Sequence, residues 1–563
     1  MNDRSPPQHR FQHLRALSVA VASLLLAFPA QAQRILGLGE DAVTIPRGTL
    51  RVGITADHTT QSARWNGGRL EGLGAAFTGG ALGPAQLSLL GPLQQLVRDL
   101  GVPTFAASLG ASALDLRQRL FVTPLSVEYG VTDWLTIGVR APLVRSKAEA
   151  SFLVRGDSGR ATLGLNPLYQ GSAVSAANRL TIDRYSAAAT NLTARRLACQ
   201  ANAGSAPECP TILAELASVG ALSNRTALFA SGLVTIYGAA GLTGGRPYVP
   251  MAGSAAELAL LARVDSLRTA FARYGITDIT ASTGLPLGAQ APLGTADVAR
   301  LLADSTDGFG ARPLTGTAVT GLGDLQFSAR VKLFDSFGAP NVARFSARRF
   351  GLRQTIGVDT RLGSGTSDQP GDLIDLGTGT GTTAITIRSL TDIVLNTRLW
   401  ATVDVGYSKG MTSIERVRVP STPGARLLES WRELDASVRP GALLDASVTP
   451  RWQLNDYVAL GASLRWRRKS ADVHVIDSLV LDPYLSPIPL DAAALDATSG
   501  FDVQQFGWHA TFSTLAARAR GLDGLAFEVS YSHEQAFASG EGIVPKTWLD
   551  RVQIRYYTRL FGR

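Results

Sequence analysis

The sequence predicts an all-β chain: a transmembrane antiparallel up-and-down β-barrel of about twelve strands, interrupted by a large, partly helical extracellular insertion. Three observations lead there. About twelve segments alternate apolar and polar residues with period two, as strands with one apolar face do. Two tight turns repeat one device, Tyr129-Gly-Val-Thr-Asp133-Trp134 before Leu-Thr-Ile-Gly138 and Trp452-Gln-Leu-Asn-Asp456-Tyr457 before Val-Ala-Leu-Gly461; rings beside a turn suit a membrane interface. The connections also alternate strictly between short and long, as periplasmic turns and extracellular loops do.

Arg4, Arg10 and Arg15 precede an apolar run, Ala16 to Ala27, and a small-x-small site, Ala30-Gln-Ala32. Residues 1–32 read as a secretory signal peptide cut before Gln33, and 33–47 as a periplasmic N-terminal segment before a barrel over 48–563. Removing 1–32 takes away three Arg and one Asp, so the net charge falls from +9 to +7. That surplus is spread singly along strands, which argues against a nucleic-acid partner. No later segment reaches the roughly 18 apolar residues of a membrane helix.

The first strand begins at Thr49, with Leu50, Val52, Ile54 and Ala56 against Arg51, Gly53, Thr55 and Asp57. Leu125, Val127 and Tyr129 lead into the first turn, and Leu135, Ile137, Val139 and Ala141 leave it. Later strands carry Phe327 and Val331; Ile356 and Val358; Ile385 and Ile387; Val403 and Val405; Ala446 and Val448; Leu460 and Leu464; Phe506 and Phe512; Phe527 and Val529; and Val552 and Ile554. The polar faces are small or ionic and the apolar faces carry rings, the inside-out arrangement of an outer-membrane barrel. Short connections fall at 130–133, 335–343, 395–398, 453–456 and 515–524. Long ones fall at 59–114, 157–320, 364–381, 411–440, 470–500 and 535–547. With twelve strands both termini lie on the periplasmic side.

Two of the long connections hold helical periods. Leu89, Leu93, Leu96, Val97 and Leu100 mark a helix at 84–100, and Leu260, Leu261, Val264, Leu267 and Phe271 one at about 254–273. Ile212, Leu213, Leu216 and Val219 share a face in a shorter piece, and Val298, Leu301 and Leu302 in another. These helices cap the barrel or plug its mouth. Cys199 and Cys209 are the only cysteines; in an exported chain they are expected to form one disulfide. No His stands at ligand spacing from them, so no metal site and no cofactor is expected.

The lumen-facing phase holds Glu128, Arg140, Arg330, Lys332, Arg353, Asp359, Arg361, Arg388, Asp404, Arg465, Glu528, Arg551 and Arg555. Rings of Arg favour anions in a water-filled pore; opposite charges on neighbouring strands pair and fill a narrow barrel. The second reading is favoured for most of them. The girdle candidates are Tyr129, Trp452, Trp466, Trp508 and Tyr556, facing outer-membrane lipid. Trp134 and Tyr457 fall in the opposite row and should line the periplasmic rim of the lumen.

Signals for an enzyme are short. Gly156-Asp157-Ser158-Gly159 looks like the serine segment of trypsin-like proteases but departs from it at Arg160. An outer-membrane phospholipase would need a Ser beside an outward His, and only His533 phases outward without an evident partner. The glycine runs Gly363-Ser-Gly365 and Gly377-Thr-Gly379-Thr-Gly381 read as loop rather than phosphate cradle.

From Thr123-Pro-Leu-Ser-Val-Glu-Tyr-Gly-Val-Thr-Asp-Trp-Leu-Thr-Ile-Gly-Val139 and Gly321-Leu-Gly-Asp-Leu-Gln-Phe-Ser-Ala-Arg330 the chain resembles outer-membrane proteins associated with meta-pathway phenol degradation. The resemblance implies a barrel admitting small hydrophobic or aromatic compounds. It covers the strands alone; the insertion 157–320 departs from it. Arg555-Tyr-Tyr-Thr-Arg-Leu-Phe561 is similar to a barrel-assembly signal, which makes the assembly machinery an expected partner, although Gly562-Arg563 follow. The expected function is passive passage of small molecules, against a non-conducting surface protein and, as a minor alternative, a phospholipase-like enzyme.

Overall fold

The computed structural model describes residues 41–559 except 100, 157–158, 168–172, 202–205, 239–246, 280–287, 306–307, 313, 337–349, 368, 371–373, 375, 421–426, 478–489 and 520–523. Twelve antiparallel strands close into a barrel: β1 (Thr49–Asn66), β2 (Ala111–Thr132), β3 (Leu135–Arg155), β4 (Gln326–Asp335), β5 (Gly351–Arg361), β6 (Ala384–Val394), β7 (Leu399–Gly410), β8 (Leu443–Gln453), β9 (Val458–Lys469), β10 (Phe501–Ser513), β11 (Ala526–Ala538) and β12 (Ile543–Arg559). Each pairs with its neighbours in sequence order, and β12 returns to β1 from Thr49↔Arg559 to Asn66↔Ile543. Closure leaves no unpaired edge, the condition for strands to cross a bilayer. No helix among the described residues is long and apolar enough to cross a membrane.

The outer wall carries the lipid belt. On β2 the outward row runs Phe121, Leu125, Val127, Tyr129 and Val131, all but Tyr129 among the exposed large hydrophobics. Phe121 to Val131 spans about 34 Å along the strand, or about 26 Å once tilted by about 40°, close to the ~25 Å apolar band of outer-membrane barrels. The row continues around the barrel through Ile54, Val139, Phe327, Val358, Ile387, Val405, Val448, Leu464, Phe506 and Ile554. The chain therefore folds as a transmembrane barrel of the outer-membrane type.

The first two strands are longer than the sequence suggests: β1 continues to Asn66 and β2 begins at Ala111. Across these outer turns the polarity of the two faces inverts while the pleat does not. On β2, Asp115, Arg117 and Arg119 point outward and Leu114, Leu116, Leu120 and Val122 point inward. Past the membrane the wall has water outside and protein inside, so its apolar row changes side.

What lies inside is the insertion. Helices α1 (Leu90–Asp99), α2 (Ala173–Gln200), α3 (Cys209–Ala214), α4 (Leu216–Tyr237), α5 (Ala255–Ala272) and α6 (Thr295–Ala303) share one core with Leu114, Leu116, Leu120, Val122, Val144 and Val154 of the barrel wall. Helix α5 starts where Ser254 Oγ accepts the Glu257 N–H at 3.2 Å, while Glu257 accepts from Gly253 and Gly288. Its buried Leu260, Val264, Leu267 and Phe271 are the expected stripe. Helix α2, which the apolar pattern did not single out, buries Ile182, Tyr185, Ala189 and Leu192 on one face while Leu180 and Leu197 stand exposed off it, and the Tyr185 hydroxyl donates to the Val264 carbonyl at 2.7 Å. Cys199 at the end of α2 and Cys209 at the start of α3 form a disulfide, with Cα atoms 5.4 Å apart.

Candidate functional site: the barrel interior

In the membrane-spanning half the inward rows are ionic, and the charges meet in cross-strand pairs. Asp57 and Arg551 are register partners across the closing seam of β1 and β12; Nε and Nη2 of Arg551 lie 2.5 and 2.8 Å from the two carboxylate oxygens of Asp57. Arg465 donates in the same bidentate way to Asp445, at 3.0 and 2.8 Å, and lies 3.6 Å from Glu534. Arg388 reaches Asp404 at 2.7 Å and Asp359 at 3.7 Å. Arg353 bonds Asp335 at 3.0 Å and approaches Asp392 at 3.9 Å; Lys332 lies 3.6 Å from Asp335. Arg51 bonds Glu128, and Arg555 lies 4.0 Å from Glu528, which also accepts from the Tyr557 hydroxyl. Arg330 is buried on the same phase, and Arg140 is half-buried.

These side chains are scarcely exposed: Asp57 2%, Arg353 1%, Arg388 3%, Arg551 4%. A wide aqueous pore would leave its lining open to water. The interior instead holds paired charges whose removal from water is offset by bidentate hydrogen bonds. Strand phase could have added Arg51 and Asp57, which alternate with Gly53 and Thr55. The same phase places His509, buried opposite Gly461, on the inward row, whereas no such signal marks Asp335, at a strand end.

At the end near the tight turns residues 41–47 lie against the inner wall. Ala42, Thr44 and Ile45 are buried. The Thr44 hydroxyl donates to the Asp133 carbonyl at 2.8 Å, the Ile45 N–H to Thr136 Oγ1 at 2.8 Å, the Arg47 N–H to Asp133 Oδ1 at 3.1 Å, and the Thr355 hydroxyl to the Ala42 carbonyl at 2.5 Å. Thr136 and Thr355 are inward residues of β3 and β5, so the segment is tied to the inner face of the barrel. Gly130 is required beside it, because a Cβ there would strike the Ile45 and Pro46 carbonyl oxygens. Trp400, Val394 and Ala459 pack within the same end. Residues 1–40, including the expected signal peptide and its cleavage site, lie outside the described residues, as does the chain end from 560.

The wall has one break. A short strand, Thr317–Leu322, pairs with the outer half of β3, and β4 takes over from Gln326 on its inner half. Asp324 sits between them, buried, and accepts from the Gly365 N–H, the Thr380 N–H and the Thr380 hydroxyl, each at 2.9 Å; Arg361 lies 3.5 Å away. A Cβ at Gly379 would run into Asp324, and one at Gly363 into Gly381. The two glycine runs are thus a close backbone wrap around a buried carboxylate.

Of the aromatic candidates, Trp452, Trp508 and Tyr556 are exposed on the outer wall; Tyr129 and Trp466 share the outward phase and are partly covered. Tyr457 corrects its expected place. It stacks on outward Phe512 with centroids 5.8 Å apart, facing lipid rather than lumen. Trp134, 52% exposed, stands at the tip of its turn rather than inside the mouth. Phase counted along a strand does not carry through a turn, where the backbone leaves the pleat.

On the outer wall His533 Nδ1 lies 2.9 Å from Asp550 Oδ1, which also accepts from the Tyr531 hydroxyl at 2.7 Å. No serine is bonded to His533 among the described residues. His58 stacks on Phe121. Asp157 and Ser158 of the protease-like segment lie outside the described residues.

No protein-family model and no curated protein sequence matches the chain. Solved structures align with most of the chain at low similarity. An outer membrane channel from Pseudomonas putida F1 is 9% identical with TM-score 0.39, over 92% of this chain and 98% of that one. A Pseudomonas aeruginosa FadL homologue is 9% identical with TM-score 0.29, over 96% and 99%. The Pseudomonas putida toluene transporter TodX is 8% identical with TM-score 0.25, over 96% of each chain.

Proposed function

We propose that the protein is an outer-membrane channel, narrowed at one mouth in this structure, for passive passage of small molecules. The observation that supports it is the manner of narrowing. At the end near the tight turns residues 41–47 lie inside the wall and narrow the mouth, tied by a few hydrogen bonds to Thr136, Asp133 and Thr355. A segment held this way can leave without breaking any strand pairing, since each such bond contributes only about 0.5–1.5 kcal/mol net. In this reading Glu128, Asp404, Arg388, Arg465 and Arg551 line the path, and their pairing sets how narrow it is. The permeant is proposed to be a small hydrophobic or aromatic molecule, as the resemblance of the strands implies. Export by cleavage before Gln33 and assembly through the last strand belong to the same proposal.

The paired, buried lumen charges favour a second reading, a non-conducting surface protein. Single-channel recording in planar bilayers separates the two. The channel reading expects rare small openings from the full chain and frequent ones from a variant lacking residues 41–46. No conductance from either, with both showing the heat-modifiable gel migration of folded barrels, overturns it.

A further inference from the structure

On the outer wall just above the lipid belt, β2 and β3 present cations in an arrangement that strand pairing alone disfavours. Arg119 and Lys147 are direct register partners and both point outward, with side chains 50% and 47% exposed. Like charges directly opposite each other destabilise an antiparallel pair. Arg145 stands one step down the same face, opposite Phe121, and Arg117 one step up, opposite Glu149. Glu149 is shared: it lies 2.7 Å from Lys147 and 3.6 Å from Arg119. Arg117 is 3.4 Å from Asp115, and Arg145 has no ion pair among the described residues. Four cations thus face two carboxylates.

The height of the patch identifies what it meets. Phe121 ends the apolar row of β2 and stacks on His58, centroids 4.4 Å apart. Arg119 lies two residues beyond, about 5 Å higher along the membrane normal for a strand tilted by about 40°. The headgroup layer adds about 5–7 Å to each side of the hydrocarbon core. The surplus cations therefore stand at the level of outer-leaflet phosphates, and Leu125, Val127 and Val139 below them offer a surface for acyl chains.

We propose that Arg119, Arg145 and Lys147 dock the phosphate of a phosphorylated glycolipid in the outer leaflet. Arg pairs with phosphate through charge-assisted bonds, and the phosphate supplies the negative charge that Arg145 lacks. The inference rests on the outer-membrane placement of the barrel and not on passage through its lumen.

Native mass spectrometry of the full-length protein in detergent tests it, with bis-phosphorylated lipid A, its dephosphorylated form and inorganic phosphate as probes. The phosphorylated lipid should give about tenfold more adduct than the dephosphorylated one, and Arg119→Gln/Arg145→Gln/Lys147→Gln should remove that difference while heat-modifiable migration persists. Should the triple variant not fold, Arg145→Gln alone, which breaks no ion pair, should still lower the adduct. Equal binding of the two lipids by the wild-type protein, or no change in either variant, overturns the proposal. Full displacement by millimolar inorganic phosphate overturns the lipid assignment and makes the site one for free phosphate. Loss of channel activity bears on none of these outcomes.

Discussion

Arg551 on the last strand clasps Asp57 on the first, Nη2 to Oδ2 at 2.8 Å, so the seam that closes the barrel is locked by a buried ion pair. Removing one partner strands the other in a site without water. Asp57→Ala should therefore destabilise the barrel by about 3–5 kcal/mol. The double change Asp57→Leu/Arg551→Met should recover much of the loss, because it removes both charges. Urea unfolding of the protein in lipid vesicles, followed by tryptophan fluorescence, gives both values; a double variant as unstable as the single one contradicts the account.

The inversion of polarity along β2 gives an opposed pair of outcomes. Leu125 faces lipid near the middle of the belt and Arg117 faces outward above it. Leu125→Arg should cost about 2–4 kcal/mol, as a cation on the lipid face near the midplane does. Arg117→Leu, beyond the belt, should stay within about 0.5 kcal/mol of wild type. The same unfolding assay reads both, and equal effects would misplace the membrane boundary.

That inversion also marks where the sequence was legible. Within the membrane each strand obeys one rule, apolar out and ionic in, so twelve strands could be counted from alternation alone; the connection expected at 335–343 instead reaches Gly351, with 337–349 outside the described residues. Above it, Leu114 and Leu116 alternate with Asp115 and Arg117 just as cleanly, yet their apolar side faces the insertion. A rule that fixes one face to lipid therefore reads 59–114 as a loop. Helix α2 was illegible for another reason: its buried face includes small residues such as Ala188 and Ala189, while large apolar residues, Leu180 and Leu197, stand exposed off that face and blur the period. The lumen charges were legible by phase, but their partners were not. Register decides that Arg551 meets Asp57, and the break at Gly323 brings Asp324 against a loop more than 40 positions away.

The wrap around Asp324 tests whether the glycine runs are structural. Gly379→Ala places a methyl group against the carboxylate and the backbone of Gly365. The loop must open to admit it, at a cost of about 1–3 kcal/mol for overpacking. Protease treatment of whole cells should then cut within 363–382 faster than in wild type, while the heat-modifiable band of the barrel remains. Gly377→Ala, at the start of the run, is the comparison; equal cleavage in Gly379→Ala and wild type would show that the loop does not depend on the close approach.

The disulfide closes a loop between positions ten residues apart, joining the end of α2 to the start of α3. Chain-entropy arguments give a cross-link of that size about 2–3 kcal/mol, acting on the insertion rather than on the strands. Both sulfurs lie in the core that the helices share with the barrel wall. Around them Arg195 bonds Glu208 and also the Tyr274 carbonyl, at 3.4 Å for the latter, so the α2–α3 corner retains polar ties when the bond is absent. Cys199→Ser/Cys209→Ser should therefore leave a folded barrel with a looser insertion. Pulse proteolysis across a urea series should show the insertion opening at lower denaturant in the variant, with the strand-derived fragments protected to the same concentration as in wild type. If barrel and insertion instead lose protection together, the shared core couples them into one cooperative unit, and the stabilisation belongs to the whole chain rather than to its helical part.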